Sequence, residues 1–184
     1  MFSCVDTLEA RQIADLLGAS FLIPLLDLGV SIPTRKTTQG SAIADVCGRI
    51  DYVNPGGPTL QDRGVYDPAS LRAEYLRRSA PDAHTEEMQG GYLRGVTEEA
   101  PAVIALNMRA ASTCVMEFIA RAYPFRHEPN AAYARTQFSL AAIEEEAFPV
   151  ESFQLATNPQ FARGDLEPLL GLPALRTPRS RAFA

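Results

Sequence analysis

Cysteine is scarce in this chain of 184 residues: Cys4, Cys47 and Cys114 stand far apart, with no C-x-x-C pair among them. That spacing argues against a disulfide framework. Each thiol lies in an apolar stretch, so the expectation is buried free cysteines, in keeping with a reducing cytoplasm. Long apolar runs are also missing. The most apolar stretch, residues 21–30, is broken by Pro24 and Asp27 and is too short to cross a bilayer. The first residues carry no basic lead of a secretory signal. An excess of positive charge is absent as well. Seventeen Lys and Arg stand against 22 Asp and Glu, a formal net charge of −5, so there is no electrostatic ground for nucleic-acid or membrane binding. Hydrophobic residues make up 46% and charged residues 21%, enough apolar material for a core in a chain of one-domain length. The expected setting is cytoplasmic.

The pattern along the chain begins with a short buried strand, residues 1–5. Asp6 then opens a helix, with Glu9 at capping-box spacing. Leu8, Ile13, Leu16 and Leu17 share an inward arc, and Gly18 supplies a stop. Residues 21–30 form a second apolar strand, so strand, helix and strand suggest a parallel unit with a crossover helix. Residues 33–40 read as a loop and 41–54 as a longer strand. Pro55-Gly56-Gly57-Pro58 is a turn. Asp67-Pro68 starts a helix that runs to about Ser79. Residues 80–100 read as a long surface loop. Residues 101–123 form the clearest helix, apolar except for the stripe Arg109, Thr113, Glu117 and Arg121. Such a helix is expected to pack on the sheet and against something further, such as another chain. Residues 133–140 alternate as a strand, Glu144-Glu145-Glu146 is a solvated acidic run, and Arg176, Arg179 and Arg181 belong to a frayed tail.

Several of these segments, taken in order, resemble the ThiF, MoeB and HesA branch of the ubiquitin-activating-enzyme-like adenylyltransferases. Cys4-Val5-Asp6-Thr7 with Arg11 is similar to the family's aspartate motif. Pro24 to Val30 resembles the following strand. Gly48-Arg49-Ile50 with Pro55 to Pro58 resembles the approach to the cysteine-rich turn. Gly91-Tyr92, Ala102-Val103-Ile104 and Asn107 resemble the crossover loop and its helix, and Arg163-Gly164-Asp165 with Glu167 to Gly171 the closing segment. The resemblance covers the C-terminal half of the family's domain. It implies an α/β fold, an incomplete Rossmann-like domain with parallel strands and crossover helices followed by a partly antiparallel sheet. Residues 1–150 would be the C-terminal portion of the adenylation domain, and 151–184 a closing segment with a flexible tail. The implied activity is transfer of AMP from ATP, with magnesium, to the C-terminal carboxylate of a ubiquitin-like or sulfur-carrier protein. The implied partners are that carrier, a second copy of the chain, or a separately encoded N-terminal half.

Three departures qualify this. No G-x-G-x-x-G phosphate loop occurs in the 184 residues, so the chain alone is expected to be inactive. The family's zinc-binding cysteine positions fall on Thr59 and Asp62, and more loosely on Asn158 and Phe161, which argues against zinc. No cysteine lies between Pro58 and Pro101 to form a thioester. The resemblance implies nucleotide and magnesium binding for Asp6 and a phosphate-facing role for Arg11. From pattern alone, Asp6 reads as a helix cap and Arg11 as a surface arginine. Asp27 is either a buried site acid or an acceptor at a strand end. Gly56-Gly57 reads as a turn rather than an anion cradle. His84 and His127 read as surface residues. The rival reading is a non-catalytic ThiF-like interaction or dimerisation module.

Overall fold

The computed structural model describes residues 1–80, 103–156 and Gly164. The segments around His84, Gly91-Tyr92, Asn158, Phe161 and Glu167 to Gly171, the basic tail, and nearly all of the predicted closing region lie outside the described residues. The chain is mixed α/β. A five-stranded sheet has the order β1-β2-β5-β6-β7, from β1 (Phe2–Ser3), β2 (Leu25–Ser31), β5 (Cys47–Val53), β6 (Arg135–Ser139) and β7 (Glu144–Phe148). Helix α1 (Leu8–Phe21) carries the chain from β1 to its parallel neighbour β2. All other pairs in the sheet are antiparallel, so the parallel character expected from the sequence is confined to this one unit.

Two boundaries need correction. Thr7, not Asp6, caps α1: its extended backbone turns its hydroxyl to accept the Ala10 amide at 3.2 Å, while Glu9 pairs with Arg78. The helix also runs past Gly18 to Phe21 and closes on Leu22 in the left-handed region, φ 52°. Residues 33–40 are not a loop. Strands β3 (Thr34–Thr37) and β4 (Gly40–Ile43) form a separate, largely exposed hairpin between β2 and β5. With neither of its faces buried, it shows no apolar alternation to read. Helix α2 (Pro68–Ser79) begins where Asp67-Pro68 predicts, with Asp67 and Ser70 closing a reciprocal capping box. The four residues 54–57 close a turn through the Gly57 amide on Asn54 O.

Helix α3 (Ile104–Ala122) lies on one face of the sheet. Leu106, Ala110 and Cys114 meet Leu26, Ile50 and Phe138 in a core. Against the opposite face, Leu25 and Val53 pack with Leu60 and Tyr66, flanked by Leu8, Ala14 and Leu16 of α1. Only Cys114 of the three cysteines is buried; Cys4 is exposed and Cys47 half-buried, and all are free thiols. Among the described residues, no helix is long and apolar enough to cross a membrane.

One glycine is sterically required. Gly48 lies opposite Phe138, and a Cβ added there would stand 2.7 Å from the ring's Cε1. The ring is buried and stacked under Arg109, so it has little room to retreat. Gly48→Ala is expected to cost about 1–3 kcal/mol through overpacking. Thermal unfolding followed by circular dichroism reads this directly, and an unchanged midpoint would show that the ring gives way freely.

Candidate functional site

The site is built from the face of the sheet that α1 partly covers. Side chains alternate along a strand, so register alone assembles three polar rows across it. Asp27, Asp51 and Arg135 form the first, Gly29, Arg49, Gln137 and Glu146 the second, and Ser31, Cys47, Ser139 and Glu144 the third. The first row sets two fully buried carboxylates directly opposite one another. Like charges so placed repel. Four arginines neutralise them. Arg11 Nη1 reaches both oxygens of Asp27 at 2.6 Å, and Arg49 bridges Asp27 (2.9 Å) and Asp51. Arg135 Nε donates to Asp51 at 2.8 Å, and Arg63 Nη1 approaches it at 3.3 Å. Ser3 completes the acceptor set of Asp27 with a hydroxyl donated at 2.7 Å. The Arg49 guanidinium lies across Gly29, where a Cβ would meet it at 3.3 Å.

Above the second and third rows opens a cleft of about 690 Å³. Gly29, Arg49, Gln137, Cys47 and Ser139 belong to its floor, and Asp6, Leu8 and Val65 line it from the α1 side. Glu144 and Glu146 line it from β7, at the far end of the strand order. The floor carries Arg49 as its cation, and the β7 side is acidic. Partial burial alone would raise Asp45, but hydrogen bonds from Ser139, Ala141 and Val46 hold it below the usual carboxylate range. Burial and the nearby Asp45 charge push the Cys47 thiol up, so it stays protonated at neutral pH.

Asp6 stands exposed at this cleft, directly after the edge strand β1. Arg11 also lines it, but its guanidinium is occupied. Besides Asp27, it donates to Leu28 O at 2.8 Å and to Val5 O at 2.7 Å, tying the ends of β1 and β2 together. Asp27 is entirely buried among its partners. Thr59 and Asp62 clasp each other: the Thr59 amide donates to Asp62 Oδ2 at 2.9 Å, and the Asp62 amide donates to Thr59 Oγ1 at 3.2 Å. His127 is exposed. Among the described residues, no three His, Cys, Asp or Glu side chains gather to hold a metal ion.

Arg49, Asp51, Arg135, Gln137 and Glu146 went unread as site residues. For Arg49 and Asp51 the signal is the alternation in Cys47-Gly48-Arg49-Ile50-Asp51, and for Arg135 and Gln137 that in Arg135-Thr136-Gln137-Phe138-Ser139, where every second residue is polar or small and shares the face of the cleft. The fold and cleft define a mixed α/β protein with a charged recess over an antiparallel sheet. No family model matches the chain, and no curated protein matches it.

Proposed function

We propose that the cleft is the acceptor side of a ThiF-type adenylyltransferase site, holding the C-terminal tail of a ubiquitin-like or sulfur-carrier protein with its carboxylate toward Asp6. The observation that carries this is the placing of Asp6: exposed, just beyond an edge strand, and lining a cleft whose floor holds Arg49. The outer edge of β1 has no partner strand among the described residues, which leaves room for further strands of a Rossmann-like sheet. ATP with magnesium would supply the activating phosphate there. This chain's own residues orient the tail and supply one carboxylate to the cation. Preorganised charge of this kind acts on the reacting group without reorganisation.

The occupied guanidinium of Arg11 favours the second reading, a non-catalytic interaction module built on the same fold, because that side chain has its partners already. ATP–pyrophosphate exchange separates the two. The chain is assayed alone and with the product of the neighbouring gene. Exchange is expected only in the mixture, and Asp6→Ala should lower it on the order of 10²-fold. Exchange that is absent in both, or indifferent to Asp6, supports the interaction module instead.

A further inference from the structure

Helix α3 crosses its face of the sheet antiparallel to β1 and β2, and the rows of paired residues fix which of its turns meets which row. The row Phe2, Leu26 and Tyr52 meets the end of the helix: the Phe2 ring stands 5.6 Å from that of Phe118, and Arg121 stacks on Tyr52. The row Val30, Gly48 and Phe138 meets its first half, where Arg109 stacks on Phe138. The row between them holds Leu28, Ile50 and Thr136. Extending the register of β1 by one residue sets Cys4 opposite Leu28. The Arg11 guanidinium spans this step, holding Val5 O at 2.7 Å and Leu28 O at 2.8 Å. Midway along α3, Cys114 lies in the core with Ile50. It is one turn before Phe118, as Cys4 is two residues beyond Phe2 on the strand. The two periodicities run in phase, so both thiols face the same gap between strand and helix. Their electrostatic coupling agrees: burial first, then the Cys4 thiol, pushes the Cys114 thiol up to about 12.

We propose that Cys4 and Cys114 form a redox pair, which hydrogen peroxide closes into a disulfide between the edge strand and α3. Both are free thiols here, Cys4 exposed and Cys114 buried. Exposure makes Cys4 the thiol that the oxidant reaches. Its sulfur takes one oxygen from the peroxide as the O–O bond breaks, giving the Cys4 sulfenic acid and one water. Cys114 Sγ then displaces the hydroxyl: the S–S bond forms, the S–O bond breaks, and the Cys114 proton leaves with the hydroxyl as a second water. The two sulfurs together lose the two electrons that the peroxide gains. Burial keeps Cys114 protonated and slow toward anything in solvent, so it resolves only a sulfur already held beside it. Cys4 can close on it because it lies just past the β1 ladder, on an edge with no strand outside it among the described residues. Cys47 is a poor partner for either. It pairs with Ser31 and Ser139 on the cleft face, with the sheet between it and Cys114. The pair stands apart from the cleft and from any nucleotide chemistry.

The test treats the full reduced chain with a small excess of hydrogen peroxide, alkylates it in denaturant and maps its tryptic peptides by mass spectrometry without reductant. The expected product has lost two hydrogens, is alkylated at Cys47 alone, and yields residues 1–11 joined to 110–121. Dithiothreitol should restore three alkylated cysteines. The same oxidation in strong urea should instead favour Cys4–Cys47 and Cys47–Cys114, because the unfolded chain closes shorter loops more readily. Cys4→Ser, at an exposed position, should leave Cys114 reduced, and Cys47→Ser should keep the bond. Joining positions 4 and 114 should raise the thermal midpoint by roughly 10 °C. A folded chain that keeps both thiols, or stops at the sulfenic or sulfinic acid of Cys4, overturns the proposal. So does a bond to Cys47, a bond between two chains, the same linkage pattern in urea, or a midpoint that falls on oxidation.

Discussion

Replacing Arg63 by methionine is expected to remove about 3–5 kcal/mol of stability, because it strands several carbonyls in the interior and leaves the buried Asp51 with two of its three arginines. The Arg63 side chain is wholly buried. It donates to Ala134 O at 2.6 Å, to Tyr52 O at 2.9 Å and to Pro58 O at 3.1 Å, and its guanidinium lies over the Phe153 ring. It thereby ties the loop after β5 to the start of β6 and to the segment after β7. Burial weakens its hold on its proton, and Asp51 beside it works in the opposite direction. Arginine stays charged throughout. The thermal midpoint should fall by roughly 10 °C or more for a chain of this size. Lysine should not rescue it, because a single ammonium cannot serve acceptors spread around a planar fork. Urea denaturation of both variants measures the loss, and a midpoint within error of wild type would mean the ladder is satisfied without this residue.

The second large effect is pH-dependent. Asp15 of α1 is buried, and its Oδ2 accepts from Tyr66 Oη at 2.8 Å and from the Gln61 amide at 3.2 Å. Burial nonetheless dominates and raises its pKa from 3.8 to about 6, against the hydrogen bonds from Leu60, Tyr66 and Gln61. Between those two values the folded chain keeps a proton that the unfolded chain has released. Stability therefore falls as pH rises through this window, and the charged form is fully penalised only above about 6. Two units correspond to roughly 3 kcal/mol. Asp15→Asn removes the titration while its carbonyl can keep both Oδ2 bonds. The stability difference, variant minus wild type, is expected to rise by about 2–3 kcal/mol between pH 4 and pH 7.5. Measuring the difference cancels the other carboxylates. Parallel unfolding profiles across that range would show that Asp15 ionises freely in the fold.

Where the signal is local, the structure agrees with the sequence. Asp67 and Pro68 carry the start of α2 within four residues, and the helix begins there. The cap of α1 slipped by one residue because Asp6 and Thr7 are both good caps, and only the path of the backbone out of β1 chooses between them. Long-range arrangement was less legible. The stripe Arg109, Thr113, Glu117 and Arg121 looks like a solvated face, yet tertiary partners engage three of its four residues: Phe138 and Tyr52 for two arginines, Arg126 for the buried glutamate. Nor does hydrophobic patterning show that Arg11 and Asp15 point into the fold while Ile13 is half exposed. Asp27 was visible as an acid in an apolar strand. That it faces Asp51 depends on a register set by the hairpin between them. Asp6 drew notice through the resemblance rather than through its pattern, which reads as a helix cap; the structure puts it, exposed, on the lining of the cleft.

The ladder beside that cleft contains four guanidinium groups and two carboxylates, a net charge of +2 once they are counted against each other, and two of its arginines, Arg11 and Arg49, reach the cleft lining. The fold locks this surplus in place before any guest arrives. Glu144 and Glu146 line the β7 side while Arg11 and Arg49 line the other, so the recess is polarised from side to side. A flexible tail entering it would be sorted by orientation: its negative tip draws toward the arginine side, where Asp6 also lies, and any basic shoulders toward the glutamates. Salt would blunt this sorting at the exposed glutamates far more than at the shielded arginines.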